Sequence, residues 1–209
     1  MTKLEKRIFS RHDPKVLAAL RASTVGIAGA GGLGSNAALA LARAGVGALI
    51  IADFDRIEPS NLNRQQYAVG QIGQRKVKAL QANLKLAAPF TKCKAHAVKV
   101  KPANVNELFC GADLLIEAFD RADQKGMLIN TWLQLHPDKP IIAASGLAGY
   151  GKNSKLRTRR MGNLHICGDG ESLCPAGISP MAPRVAIVAN MQANLAVELL
   201  VKIKGKTNV

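Results

Sequence analysis

The run Gly29-Ala-Gly31-Gly32-Leu-Gly34 constrains this 209-residue chain more than any other segment. It follows a strand-length apolar stretch, residues 25–28, and opens a helix-length stretch of small apolar residues, 33–44. At such a junction the bare glycine backbone lets a phosphate approach a helix N-terminus, where free amides and the helix dipole favour an anion. Asp53 lies nineteen residues beyond Gly34, at the end of a second apolar stretch, 48–52. A carboxylate there can accept hydrogen bonds from ribose hydroxyls. The turn and Asp53 alone fit a dinucleotide enzyme as well as an ATP enzyme. They also fit a plain tight turn, with Asp53 merely ending a strand.

Further apolar stretches at 95–100, 113–119 and 140–145 alternate with helix-length segments. That alternation predicts an α/β fold, a Rossmann-like doubly wound and largely parallel sheet with helices on both faces. The length suits one domain over residues 1–209, with residues 1–23 as an N-terminal helical arm. Val77, Leu80, Leu84 and Ala87 share one helical face, as do Val188, Met191, Leu195 and Leu199, and both stripes read as core faces. Between residues 149 and 183 the periodicity fails, which predicts a long crossover loop. Its Lys152, Lys155, Arg157, Arg159 and Arg160 are either a solvated segment or a docking surface. No aromatic residue interleaves with them, so nucleic acid is not the expected partner.

The longest apolar runs, about seven residues, fall short of the roughly 20 that cross a bilayer, so no membrane span is expected. The basic N-terminus is not followed by an apolar leader core, and a cytoplasmic location is expected. Cys93, Cys110, Cys167 and Cys174 form no Cys-x-x-Cys pair, so no zinc is expected. Against 14 Asp and Glu stand 29 Lys and Arg, a net charge of +15 that favours an acidic partner and salt-sensitive association.

One helix N-terminus contributes about 0.3–1 kcal/mol toward an anion, whereas a Kd of 1 mM already requires about 4 kcal/mol. A triphosphate in the turn therefore needs more neutralising groups. Asn61, Arg64 and Gln65 follow the strand that ends at Asp53, and Lys76 sits in the first turns of the next helix. A cation at a helix N-terminus opposes the dipole and so invites a functional explanation, although Arg75 and Lys78 also fit an ordinary basic face. Asp120 ends the fourth strand, where it is either the N-cap of the following helix or a Mg²⁺ ligand.

Together, Gly29-Ala-Gly-Gly-Leu-Gly-Ser35, Asp53-Phe-Asp55, Ser60-Asn-Leu-Asn-Arg-Gln65, Gly73-Gln-Arg-Lys76 and Glu117-Ala-Phe-Asp120 resemble the ThiF/MoeB adenylyltransferases, relatives of the ubiquitin-activating enzymes. The ordered set spans about 100 residues. Ala144-Ser-Gly and Ala182-Pro-Arg184 extend a looser likeness, nearest to the short ThiF proteins of thiamine biosynthesis. The resemblance implies ATP and Mg²⁺ as cofactors. Gly29, Gly31, Gly32 and Gly34 would form the cradle, with Asp53 on the ribose and Asn61, Arg64, Gln65 and Lys76 on phosphates. Arg64, Lys76 and the Mg²⁺ ligand Asp120 would carry the catalysis.

The implied reaction is adenylylation of the C-terminal glycine carboxylate of a ubiquitin-like sulfur carrier, ThiS-like or MoaD-like, with release of pyrophosphate. The competing reading is an NAD(P)-dependent oxidoreductase. The resemblance also implies a homodimer in which an N-terminal arginine, Arg7 or Arg11, reaches the other subunit. Cys174 or Cys167 would be the candidate thiol for sulfur transfer.

Overall fold

A computed structural model describes residues 1–172 and 180–207. Two short helices come first, α1 (Lys3–Ile8) and α2 (Pro14–Arg21). Each starts on a side-chain cap: Thr2 accepts from the Glu5 amide, and Asp13 from the amides of Lys15 and Val16, with Pro14 at the first helical position. The chain continues through β1 (Thr24–Ala28), α3 (Gly32–Ala44), β2 (Ala48–Ala52), α4 (Lys76–Ala87) and β3 (Lys92–His96). Then follow α5 (Pro102–Phe109), β4 (Leu114–Glu117), α6 (Ala122–Leu135) and β5 (Ile141–Ala144). A hairpin of β6 (Arg157–Met161) and β7 (Leu164–Gly168) leads to the long helix α7 (Ala182–Thr207).

These strands form one seven-stranded sheet in the order β3-β2-β1-β4-β5-β7-β6, parallel throughout except for the antiparallel β6–β7 pair. The chain builds outward from β1 through β2 and β3, then crosses to β4 and β5 on the other side. The crevice at the carboxyl ends of β1 and β4 is thus the switch point where open α/β sheets bind ligands. The fold is α/β and Rossmann-like, as the alternating pattern predicts.

Covered on both faces, the central strands read as continuous apolar runs. Leu33 and Leu41 of α3, Leu80 and Leu84 of α4 and Val188 of α7 pack on one side. Val105 and Phe109 of α5 and Leu128 and Trp132 of α6 pack on the other. Each such side chain contributes about 1.5–3 kcal/mol by leaving water. Both predicted stripes face this core except at Ala87: Val77, Leu80, Leu84 and Val188 are buried and Met191, Leu195 and Leu199 pack half-buried against the core, whereas at the end of α4 it is Ala88 that joins the core and Ala87 is only half-buried.

Three features differ from the sequence expectations. β3 spans Lys92–His96 rather than 95–100, because the ladder to β2 runs from Ala48↔Lys92 to Ala52↔His96. It is a lysine-bearing edge strand, and Val100 is buried just beyond the pairing. The stretch 149–183 is not merely a crossover loop, since it holds β6 and β7. All of β6 is exposed, so its arginines carry no apolar alternation to betray a strand, and charge on an edge strand discourages unwanted pairing. Finally, α7 is long and apolar enough over Ala182–Gly205 to cross a membrane by length and composition. Its Val188, Ala189, Ala193, Ala196 and Leu200 are buried in the domain core.

Candidate functional site

The glycine turn is built as its residue types require. Gly29 has φ of 100°, and a Cβ there would lie 2.7 Å from the carbonyl oxygen of Ala118 beyond β4. A Cβ on Gly34 would lie 1.9 Å from the Gly29 carbonyl oxygen, so α3 approaches the turn only because that position is bare. No side chain caps α3, which leaves its N-terminal amides to a ligand. Asp53 holds the turn from β2: Oδ2 accepts from the Ala30 amide at 2.7 Å, and Oδ1 from the Asp55 amide at 2.7 Å. Each oxygen keeps a lone pair for a ribose hydroxyl. Burial pushes the Asp53 carboxyl above the ordinary range, and those two amides pull it back.

The segment after β2 folds over this turn. The Arg64 stem packs over Gly32, with Cγ 3.5 Å from where a Cβ would sit. Its guanidinium donates to the Ser60 carbonyl and to Asn63 Oδ1. Gln65 Nε2 lies 3.7 Å from the Cβ position of Gly31. Gln65 is 8% exposed, and its buried Oε1 has no partner among the described residues. A buried acceptor without a partner is costly and calls for a donor from a ligand or water. Asn61 Oδ1 caps the short 3₁₀ turn Pro59–Asn61 by accepting from the Glu58 amide, which leaves its amide donors available. Beside Arg64 and Gln65 opens a cleft of about 340 Å³, also lined by Asn36, Pro183 and Ala186.

Lys76 is the first residue of α4 and is buried, with Nζ donating to Asp55 Oδ2 at 2.8 Å. The cation at a helix N-terminus is thus held by a carboxylate two residues past Asp53. Asp55 lies inside the quoted motif, but nothing in the sequence pairs it with Lys76. Tyr67, whose hydroxyl donates to the Ala30 carbonyl at 2.6 Å, also pins the turn and was missed. Burial, reinforced by Asp53 and Asp55, pushes the Tyr67 phenol well above its ordinary value, so it stays a donor.

Asp120 emerges at the carboxyl edge of β4, exposed and accepting no hydrogen bond among the described residues. It is not the N-cap of α6: Arg121 holds that position, and no side chain caps the helix. Among the described residues no group of three or more His, Cys, Asp or Glu could hold a metal by itself. A single free carboxylate beside a phosphate cradle fits Mg²⁺, which keeps waters and takes one or two carboxylates plus phosphates. Behind Asp120, the wholly buried Glu117 pairs with Lys125 at 2.9 Å. Burial pushes the Glu117 carboxyl up, opposed by the Lys125 ammonium and the Phe119 amide.

Other candidates lie apart from this crevice. α1 is tied down by the Glu5–Arg21 pair at 2.6 Å and by Phe9, which packs on Phe90. Those partners precede β1 and β3, so the segment that carries the exposed Arg7 and Arg11 packs at the amino edge of the sheet, opposite the crevice. Cys167 is buried in β7 beside Thr158, and burial raises its thiol pKa, the opposite of the lowering an activated thiol needs. Cys174 lies outside the described residues. Asp169, after β7, forms a buried pair with Arg184 of α7 at 2.6 Å. Burial works against its charge, but bonds from Ser172 and the Glu171 amide, with Arg184, bring Asp169 down to about 2.

The sequence profile of the ThiF family matches residues 5–209. The chain belongs to the ThiF family. Among its relatives, the adenylyltransferase and sulfurtransferase uba4 of Aspergillus niger is 39% identical over 64% of this chain and 27% of that protein. The tRNA threonylcarbamoyladenosine dehydratase of Bacillus subtilis is 32% identical over 75% of this chain and 63% of that protein. This ThiF-family chain therefore spans only part of the length of those relatives. The Escherichia coli tRNA N6-threonylcarbamoyladenosine dehydratase, TcdA, superposes with a TM-score of 0.88 over 98% of both chains at 19% identity. A structure of TcdA in complex with ATP gives 0.87 at the same identity. At that identity the likeness establishes the shared fold.

Proposed function

We propose that this ThiF-family protein is an ATP-dependent adenylyltransferase that activates the C-terminal glycine carboxylate of a small ubiquitin-like sulfur carrier. On the sequence resemblance alone the carrier would be ThiS-like and the step part of thiamine thiazole formation; none of the relatives named above is a thiamine enzyme. The observation that carries the reading is the gathering of Arg64 and Gln65 over the glycine turn, with Lys76, Asp53 and Asp120 at the same carboxyl edge. Gln65 Oε1, without a partner among the described residues, supports a ligand or water with a donor there. An NAD(P)-dependent oxidoreductase would use the turn and Asp53 but leave Arg64, Lys76 and Asp120 without a role.

In the reaction, a carrier carboxylate oxygen bonds to the α-phosphorus of ATP. The bond from that phosphorus to the bridging oxygen breaks, and pyrophosphate leaves with the electron pair. The carboxylate is already ionised at neutral pH, so no general base is required. Arg64 and Lys76 offset charge on the transferring and leaving phosphates, and catalysis is positioning plus electrostatic stabilisation. Asp120 would hold Mg²⁺, which supplies further neutralisation of the phosphates when bound.

Asp120→Ala should abolish carrier-dependent ATP–pyrophosphate exchange while leaving the thermal unfolding curve intact. Undiminished exchange would sink the assignment. A MoaD-like carrier in place of a ThiS-like one leaves the chemistry unchanged, and exchange measured with each separates them. A second reading, activation of a carboxylate carried on tRNA, draws on the exposed arginines of β6 and on the Bacillus subtilis relative. β6 contains no aromatic residue on which a base could stack, which favours a protein partner.

A further inference from the structure

Glu117 is a carboxylate with no surface exposure, three residues before the candidate metal ligand. Neither oxygen faces solvent, and the surroundings are specific. Lys125 of α6 donates to Glu117 Oε1 at 3.1 Å, to Oε2 at 2.9 Å and to the Ala144 carbonyl at 3.1 Å. All three ammonium donors are thereby used. Glu117 Oε1 also accepts from the Phe119 amide at 2.7 Å, closing the backbone turn that ends at Asp120. From α7, the buried Gln192 donates to the Glu117 carbonyl and to the Ile142 carbonyl, each at 3.0 Å. The ends of β4 and β5, the start of α6 and the middle of α7 thus meet at one polar knot.

Stability alone accounts poorly for that knot, because a buried ion pair is often no better than well-packed apolar residues of the same volume. Its location suggests another role. Among the described residues Asp120 has no bond of its own to fix it, and the turn it leaves carries Ala118 and Phe119 against Gly29. Whatever holds residues 117–119 therefore sets where the Asp120 carboxylate stands relative to the phosphate cradle.

We propose that Glu117 and Lys125 are a positioning pair that orients Asp120 for a divalent cation bound with nucleotide. The inference rests on the adenylation reading and deepens it. Groups that orient a metal ligand typically change metal affinity by about 10- to 100-fold when removed. Lys125→Met should weaken the cation site, and Lys125→Arg, which keeps the cation, should restore most of it. Lys125→Met strands a buried carboxylate and can unfold the chain. The double variant Glu117→Gln with Lys125→Met removes both charges together and guards against that outcome.

The test uses the full chain, α,β-methylene ATP and Mn²⁺ as a spectroscopic stand-in for Mg²⁺. Electron paramagnetic resonance reads bound Mn²⁺, calorimetry without metal reads nucleotide affinity, and scanning calorimetry reads stability. The expected result is Mn²⁺ affinity lowered about tenfold or more in Lys125→Met and in the double variant, recovered in Lys125→Arg, with metal-free nucleotide affinity unchanged. Mn²⁺ affinity equal to wild type in the folded double variant, whatever its melting temperature, overturns the pair as a positioning device and leaves the adenylation reading standing. Wild-type protein that binds nucleotide but no Mn²⁺ overturns both the metal site and this inference. Wild-type protein that binds neither overturns the adenylation reading itself.

Discussion

Lys76→Met should separate the chemistry of the site from the stability of the fold. The Lys76 side chain is 9% exposed and its partner Asp55 is 46% exposed, a half-solvated pair. Such a pair contributes about 0–1 kcal/mol to folding. Removing an ammonium from the first turn of α4 returns about 0.3–1 kcal/mol, because the charge opposes the helix dipole. Methionine keeps the buried apolar stem. The two effects offset, so stability should shift by less than about 1 kcal/mol, a change in Tm within about 2–4 °C for a chain of this size. A hydrogen bond from a charged donor contributes about 1.5–3 kcal/mol. If Lys76 turns from Asp55 to a phosphate, its loss should lower MgATP affinity roughly 10- to 150-fold. Titration calorimetry with MgATP and scanning calorimetry of the free protein measure the two quantities. MgATP affinity unchanged within about twofold would refute the phosphate role, and a Tm drop above about 10 °C would show that Lys76 chiefly holds the fold.

Gly34→Ala should push α3 off the turn, because its Cβ would overlap the Gly29 carbonyl oxygen; a loss of roughly 1–3 kcal/mol or more in denaturant titration, with lost nucleotide binding, is expected. Gly126→Ala, on α6 with nothing within 4 Å, should instead stabilise by about 0.5–1 kcal/mol and leave binding unchanged. Asp169 is depressed to about 2, so its stabilisation is complete above its ordinary range near 3.8 and is lost as pH falls through about 2; urea midpoints from pH 5 to 2 should decline accordingly, and less steeply in Asp169→Asn. The net charge of +15 predicts that association with an acidic carrier slows as salt rises, and a salt-insensitive rate in stopped flow would exclude steering.

Legibility followed burial. β1, β2, β4 and β5 are apolar because both faces of the sheet are covered, and their segments stand out in the chain. β3 and β6 lie at the two edges, where solvent admits lysine and arginine and erases the pattern. The phosphate-side residues were legible because they cluster within residues 29–76, in motifs whose chemistry follows from residue type. Glu117 with Lys125, Asp169 with Arg184 and Tyr67 with the Ala30 carbonyl were not, since the tertiary fold alone sets those pairings. The N-cap reading of Asp120 failed for a local reason: the chain remains extended through Arg121, which displaces the start of α6 by one residue.

ATP–pyrophosphate exchange with a purified ThiS-like carrier ending in Gly-Gly tests the adenylation claim most directly, with the mass of the carrier followed in parallel. Exchange that requires both carrier and Mg²⁺, with a carrier species heavier by one adenylyl group, is the predicted result. Absence of exchange with Gly-Gly carriers by protein that binds MgATP would contradict it.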